Sequence, residues 1–368
     1  MSKKILFLGM PAWDGVWTRQ NHFALRFSKK GYNVVYHEHQ NSIYSKIKKN
    51  KFNFLFKKVQ VDSLKIISFI PPFFGFGYKK FLLILNSIFS GIQLFFYLIF
   101  NNSYPDIVVI RLPYFIYIYK FFFSKSKLVY DVVDDYSFYS RSKSQKKFTN
   151  NLHDYTIKNS SLVNIVSKKF YEEIDLDSGN YSNIPNGVET SFFESSNDDC
   201  IRDKICFIGY LSPWLNYSLI EEIANKYKKN FVIIGPVNED IKNKIQNILS
   251  IVDYRGFVKQ SDLKEHIRDI QVFVMPYSFS DKLSKRSPLK LYEYLSTGMP
   301  VVSIDYSFLK NYDNIIYLSK NDSKFLENIE LALLENSQNK KTKRTTVAKN
   351  FSWDILFEKY ENKIKILR

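Results

Sequence analysis

The sequence predicts an α/β protein made of two Rossmann-like domains facing each other across a cleft. Three observations carry this expectation. The chain has 368 residues, more than the roughly 250–300 at which a single hydrophobic core stops growing, so two cores are expected. Short runs rich in β-branched residues alternate with segments of helical periodicity, as in open parallel sheets with crossover helices. The alternation restarts after a polar stretch, which puts a join at about residues 185–203.

Lys4–Leu8 reads as the first strand. Phe23, Ala24 and Phe27 form the apolar stripe of the next helix, Gly31 stops it, and Asn33–Tyr36 is the second strand. Strands at 106–111, 128–133 and 162–166 complete one sheet. A second alternation begins with a strand at 204–208, a helix at 218–228 and a strand at 231–234 closed by Gly235-Pro236. It continues with a helix at 240–249, a strand at 252–254, a helix at 262–269, a strand at 271–275, a helix at 289–297 and a strand at 301–304. The expected domains are therefore 1–190 and 200–350, followed by a last segment, 351–368. Ligands of such sheets bind beyond the carboxyl ends of the strands, so facing sheets place a site in the cleft.

Hydrophobic residues at 45% and charged residues at 24% exclude a disordered chain. The net charge of +17 is uneven: residues 1–190 hold 26 Lys and Arg against 13 Asp and Glu. A basic first half suits a polyanion, or is simply a solvated face. Lysines and aromatics interleave at 46–58, 74–80 and 120–127, and apolar anchors beside cations fit an anionic membrane surface better than a phosphate backbone. No nucleic-acid-binding motif is present, so nucleic acid is set aside. Residues 81–100 carry no charge and are long enough to span a bilayer. A buried or interfacial helix is expected instead, because a span would put the flanking strands on opposite sides of the membrane. Cys200 and Cys206 are too few for a disulfide framework, which suits a reducing cytoplasm. The apolar start at Ile5–Leu8 lacks a cleavage pattern and reads as a strand rather than a leader.

The chemistry concentrates in Ser287-Pro288-Leu289-Lys290-Leu291-Tyr292-Glu293. Ser287 suits an N-cap, Pro288 the first helical position, and Gly298 the helix end. The free N–H groups at Leu289 and Lys290, with the Lys290 ammonium, form a diphosphate site, and Glu293 is placed to accept from ribose hydroxyls. The competing reading of Lys290 and Glu293 is a surface ion pair. Asp134 and Asp135, adjacent at a strand's carboxyl end, are either site residues or helix caps; the site reading is favoured for Asp134 and the cap for Asp135. In the first loop, Trp13 suits stacking on a sugar ring, Asp14 lies beside it, and Arg19 suits a phosphate or acceptor; Trp13 and Arg19 are equally readable as packing. His37 and His39 have metal-ligand spacing on a strand but no third ligand, and read as solvated strand-end residues. No metal or other cofactor is expected.

The segment from Pro288 to Val301 resembles the donor-binding helix of the retaining GT-B glycosyltransferases of family 4, the group 1 transferases. Ordered resemblances extend this over nearly the whole chain. Asn183-Ile184-Pro185-Asn186-Gly187-Val188-Glu189 resembles the family's interdomain turn, and Cys206–Leu211 the opening of its donor domain. Tyr254–Val258, Val272–Tyr277 and the Phe351-Ser352-Trp353-Asp354 helix match further segments, and the last of these implies a helix returning to the first domain. Tyr130-Asp131-Val132-Val133-Asp134-Asp135-Tyr136 resembles a strand end in transferases of capsule, teichuronic-acid and exopolysaccharide synthesis.

The resemblance implies transfer from a nucleotide-sugar to a glycan or polyprenyl-linked oligosaccharide, in the cytoplasm at the inner face of the membrane. It implies that Glu293 holds the donor ribose, that Val258 lies near the base, and that Gly209 opens the donor site. It also implies that Asp134 stands where relatives face the sugar. Lys285 replaces the family's first glutamate, and Gly209–Trp214 lacks its phosphate-binding Arg/Lys pair. Lys285, Arg286 and Lys290 offer compensating charge. An epimerase of the same fold and a catalytically inactive sugar-binding homologue are the alternatives.

Overall fold

The computed structural model describes residues 3–39, 56–61, 63–69, 80–140, 142–167, 180–189, 201–260, 262–278, 289–306 and 308–367. The chain forms two compact units, residues 1–185 with 357–368, and residues 186–356.

The first unit begins with β1 (Lys4–Met10), α1 (Arg19–Lys29), β2 (Asn33–His39), β3 (Phe56–Val61) and β4 (Leu64–Phe69). It continues with α2 (Lys80–Phe100), β5 (Ile107–Ile110), α3 (Ile116–Phe122), β6 (Lys127–Val132), α4 (Lys143–Lys158), β7 (Leu162–Ile165) and β8 (Tyr181–Asn183). The strands form one sheet in the order β3-β4-β2-β1-β5-β6-β7-β8, parallel throughout except that β3 runs against β4. Ile5–Leu8 and Ile107–Ile110 are buried along their length, as central strands covered on both faces must be. Helix α1 starts where the Thr18 amide donates to Asn21 Oδ1 at 3.0 Å. It ends at Gly31, whose φ of +85° only glycine adopts without strain.

Helix α2 is long and apolar enough to cross a membrane and is only partly buried. Leu83, Asn86, Ser87, Ser90, Gly91, Leu94 and Leu98 face the unit, while the opposite side is exposed. Gly91 permits the contact with α3, since a β-carbon there would lie 2.2 Å from the Phe122 ring.

The second unit holds β9 (Lys204–Ile208), α5 (Tyr217–Tyr227), β10 (Phe231–Ile234), α6 (Lys242–Ile251), β11 (Asp253–Gly256), β12 (Ile270–Met275) and α7 (Leu289–Ser296). β13 (Val301–Ile304), β14 (Tyr317–Ser319), α8 (Asp322–Leu333) and α9 (Gln338–Asn350) follow. Its sheet is parallel, in the order β11-β10-β9-β12-β13-β14. Asn216 caps α5, its Oδ1 accepting from the Leu219 amide at 3.2 Å. The helix expected at 262–269 is only a 3₁₀ turn at Glu265–Ile267. Its two apolar residues, Leu263 and Ile267, are too few to hold a longer helix. Arg255 binds Asp269 at 2.8 Å and the His266 carbonyl, which fixes the turn without one.

The last helix, α10 (Trp353–Ile366), starts in the second unit and ends in the first. There Phe357 and Tyr360 pack on α1, with ring centroids 4.7 Å apart for Phe357–Phe27 and for Tyr360–Phe23. Glu361 accepts from Lys30 at 2.7 Å and from Tyr32 at 3.0 Å.

Candidate functional site

In each sheet the strand order reverses once, between β1 and β5 in the first unit and between β9 and β12 in the second. The crevice beyond the carboxyl ends at such a reversal is where open α/β sheets bind ligands.

In the second unit that point is held by glycine and by α7. The Gly209 amide, just past β9, donates to the Ile234 carbonyl at 2.8 Å. Gly235 sits at φ +139°, and a β-carbon on it would lie 1.9 Å from the Gly209 carbonyl oxygen, so the two backbones abut. A β-carbon on Gly209 would fall 2.9 Å from Lys290 Cε; the Lys290 side chain therefore lies over the end of β9. Helix α7 is locked from its inner face. The Tyr294 hydroxyl accepts from the Ile208 amide at 2.9 Å and donates to the Ile208 carbonyl at 3.1 Å, and its ring stacks on Phe273 at 4.5 Å. Tyr292 stacks on Phe351 at 4.2 Å. With these tyrosines inside, Lys290 and Glu293 share the outer face, Lys290 Nζ lying 3.7 Å from Glu293 Oε2. The Glu293 side chain is 12% exposed, and its buried Oε2 accepts no hydrogen bond among the described residues.

That arrangement can bind a ligand's hydroxyl groups and anionic oxygens. A loose ion pair at 3.7 Å leaves the ammonium with hydrogens to donate and the carboxylate with lone pairs to fill. Leu289 opens the helix beside them. Val258, just beyond β11, packs half-buried on the core of the unit. Lys285, Arg286, Ser287 and Pro288 lie outside the described residues.

The carboxyl ends of the first sheet are different. Arg19 is only 2% exposed. Its Nε pairs with Asp131 Oδ2 at 3.1 Å, and its Nη1 donates to the Ile184 and Pro185 carbonyls at 2.7 and 3.2 Å. Asp131 also accepts from Gln20 at 2.9 Å and from Asn164 at 2.7 Å, and Asn164 in turn accepts from Ser182 at 2.8 Å. Arg19 is thus a pin between α1, β6 and the chain after β8. Of the two readings the sequence left open for Arg19, these bonds are those of packing.

Trp13 is also turned in, 8% exposed, edge-on to Tyr36 at 5.1 Å and tilted against Trp17 at 5.1 Å. Its amide donates to Glu38 Oε1 at 2.6 Å. Asp14 is exposed in the same loop. Asp135 Oδ1 accepts from the Ser137 amide at 3.0 Å and the Ser137 hydroxyl at 2.7 Å, capping the 3₁₀ turn at Tyr136–Tyr139. Asp134 is half-buried, and its Oδ1 accepts from the Asp135 amide at 2.9 Å.

Of the two histidines of β2, His37 is not solvated, while His39 at the strand end is half-buried. His37 is buried, its Nδ1 accepting from the Gly9 amide at 3.3 Å. Burial, with the nearby His39, pushes its pKa down to about 3. Burial, with Arg111, pushes His39 down to about 4. Arg111, which follows β5, donates to the Tyr136 hydroxyl at 3.3 Å. Burial opposes its charge, but Tyr136, Tyr36 and Asp131 outweigh that and raise its pKa.

Comparison with known proteins accounts for both units. The family described as glycosyl transferases, group 1, matches residues 202–336. A putative teichuronic acid biosynthesis glycosyltransferase of Bacillus subtilis, TuaH, is 26% identical over 190 residues, 47% of this chain. The match spans about half that relative's length, 48%. Sucrose-phosphate synthase of Thermosynechococcus elongatus has the same fold, with a TM-score of 0.70 over 99% of each chain at 11% identity. Anabaena HepE, solved with UDP-glucose, also superposes at 0.70, over 99% of this chain and all of its own, at 12% identity. The chain has the two-sheet fold of these structures, and its residues 202–336 match the group 1 glycosyl transferase domain family.

The sequence reading singled out Lys290, Glu293 and Gly209, and the structure brings those three together. It did not single out Tyr294, whose hydroxyl ties α7 to β9, or Arg111 beside Tyr136. Tyr294 lies one residue past Glu293 within the same motif, a signal that was available. Arg111 directly follows the apolar run Ile107–Ile110; a lone cation at a strand's carboxyl end was the only trace of it.

Proposed function

We propose that this protein is a glycosyltransferase that moves a sugar from a nucleotide-sugar donor to a glycan or polyprenyl-linked oligosaccharide acceptor, with retention at the anomeric carbon. The product is a bacterial surface polysaccharide of the capsule or teichuronic-acid kind. The observation that carries the donor reading is Lys290 lying over Gly209 beside the under-bonded carboxylate of Glu293. HepE, solved with UDP-glucose, and the teichuronic-acid relative support the substrate class and the product class.

In this reading the Leu289 and Lys290 amides and the Lys290 ammonium bind the donor diphosphate, aided by Lys285 and Arg286. Ser287 and Pro288 start the helix that presents them. Glu293 accepts from the ribose hydroxyls, and Val258 borders the base. The bond from the anomeric carbon to the diphosphate oxygen breaks, with its electron pair leaving on that oxygen. The acceptor oxygen bonds to the same face of the anomeric carbon, and its proton passes to the departing phosphate. Lys290 stabilises the charge that builds there, and no metal is required. Asp134 orients the acceptor, with Asp14 and the Trp13 loop beside it. The enzyme works in the cytoplasm at the inner membrane face, where the basic-aromatic segments meet anionic lipid.

The test is calorimetric titration with UDP-, GDP-, dTDP- and CMP-compounds, wild type beside Glu293→Ala. Selective binding that the substitution abolishes supports the donor site and names the base. Binding unchanged by the substitution removes Glu293 from it. Donor turnover without any acceptor would assign the protein to the epimerases, and nucleotide binding without turnover would assign it to the inactive homologues.

A further inference from the structure

Helix α2 carries its polarity the wrong way round for a helix in water. The face turned toward its own unit includes Asn86, Ser87, Ser90 and Gly91, with Ser87 Oγ donating to the Leu83 carbonyl at 2.7 Å. The exposed face, after Lys80, consists only of Phe81, Ile88, Phe89, Ile92, Phe96, Ile99 and Phe100. Phe100 is 82% exposed and Phe96 53%, their rings stacked at 6.1 Å. Large apolar side chains scattered on a surface need no explanation, but a continuous stripe of them along a 21-residue helix marks a surface that something apolar covers.

Charge identifies the cover. Between Asp62 and Asp131 the chain has seven Lys and Arg and a single acid, Asp106. Lys80 is exposed at the start of α2, and Lys120, Phe121, Lys125 and Lys127 are exposed on and after α3, the helix packed beside it. A second copy of this surface would bring like charges together, whereas anionic lipid supplies both hydrocarbon and the opposite charge. The topology sets the orientation. β4 and β5, on either side of α2, belong to one sheet, so both ends of the helix stay on one side of the bilayer and it cannot cross.

We propose that α2 lies in the plane of an anionic membrane, with Phe81, Phe89, Phe96 and Phe100 set into the headgroup–acyl boundary. This deepens the membrane partner of the proposed function, and it rests on that reading only for the identity of the acceptor brought near.

The test is flotation of the full chain with phosphatidylglycerol-containing vesicles and with pure phosphatidylcholine vesicles, wild type beside Phe89→Gln/Ile92→Gln/Phe96→Gln. Wild type is expected to float with the anionic vesicles and to be released by an alkaline carbonate wash. The triple variant is expected to lose partitioning at least about tenfold. Should the triple variant fail to fold, Phe96→Trp replaces it: fluorescence beyond that of the four native tryptophans should be quenched by bromine-labelled acyl chains. No flotation of wild type, flotation equal to wild type in the triple variant, resistance to the carbonate wash, or absence of extra quenching each overturns the proposal. So does a wild-type dimer, seen by light scattering, that the triple variant dissociates. Nucleotide titration of the same samples separates the two readings, because loss of donor binding leaves the vesicle result standing and the reverse holds too.

Discussion

At the end of its sheet the first unit ties its polar residues into a buried network, whereas the second holds a loose ion pair. Arg19, Asp131, Gln20, Asn164 and Ser182 are linked at the first sheet's carboxyl edge, although Arg19 Nη2 makes no hydrogen bond among the described residues. Lys290 and Glu293 stand 3.7 Å apart with a carboxylate oxygen that accepts no hydrogen bond among the described residues. The cost of an unfilled buried acceptor is about 1–3 kcal/mol. A fold that carries such a cost gains from a ligand that removes it, and one whose polar residues bond mainly to one another gains rigidity instead. Polar residues at a sheet's carboxyl end are therefore site candidates only after their internal partners have been counted.

The contrast can be broken first at Arg19. Arg19→Ala removes the ion-pair partner of buried Asp131 and leaves it hydrogen-bonded by the neutral Gln20 and Asn164, and is expected to destabilise the protein by about 3–5 kcal/mol in a urea titration. An unchanged midpoint, with transfer to the acceptor lost, would make Arg19 a ligand contact after all. Next in size is Glu293→Ala, expected to weaken nucleotide-sugar binding about 100-fold or more while the melting temperature holds, since it removes charge-assisted hydrogen bonds made only to the ligand. A large drop in melting temperature would show the carboxylate to be structural, and the two units alike. Gly209→Ala sharpens the comparison within the second unit. Its new β-carbon would lie 2.9 Å from Lys290 Cε, the flexible part of a side chain, and 2.9 Å from Cζ of the buried Phe207 ring. Nucleotide affinity should fall about tenfold, with a loss of about 1–3 kcal/mol in stability from the crowded ring; an effect on stability alone would separate Gly209 from the site.

Acidification gives a further difference. His37 and His39 are held neutral in the folded state, at about 3 and about 4, against an unfolded value near 6.5. As pH falls below about 6.5 the unfolded chain takes up protons that the native one refuses, so stability declines to about pH 4 through both histidines and on to about pH 3 through His37. Urea midpoints measured across that window should fall steadily, and His37→Asn/His39→Asn should flatten the slope. The smallest effect is expected of Asp135→Ala, about 1 kcal/mol for a lost cap, measured by thermal unfolding with donor binding unaffected. Lost activity at native stability would return Asp135 to the acceptor side.

Much of the second unit was legible because its signals are local. β10, β13 and the start of α7 fall where apolar runs, a Ser-Pro start and a glycine stop put them. The spacing of Lys290 and Glu293 on one helix face follows from helical geometry alone. The turn at 262–269 was not legible, because Arg255, distant in the chain from Asp269, decides its form. In the first unit the loop from Trp13 to Arg19 carries residues suited to sugars and phosphates, and their type says nothing of the partners waiting at Glu38 and Asp131.

The sequence by itself determined the two-sheet α/β architecture, the family resemblance and the donor-helix motif, because strand runs, helix periods and caps are set by neighbours a few residues apart. Only the tertiary structure decided that Arg19 and Trp13 point inward and that α2 turns its phenylalanines outward. It also decided that Gly209 lies under Lys290. Burial and pairing between residues a hundred positions apart depend on how the sheet is stacked, and no local pattern records that.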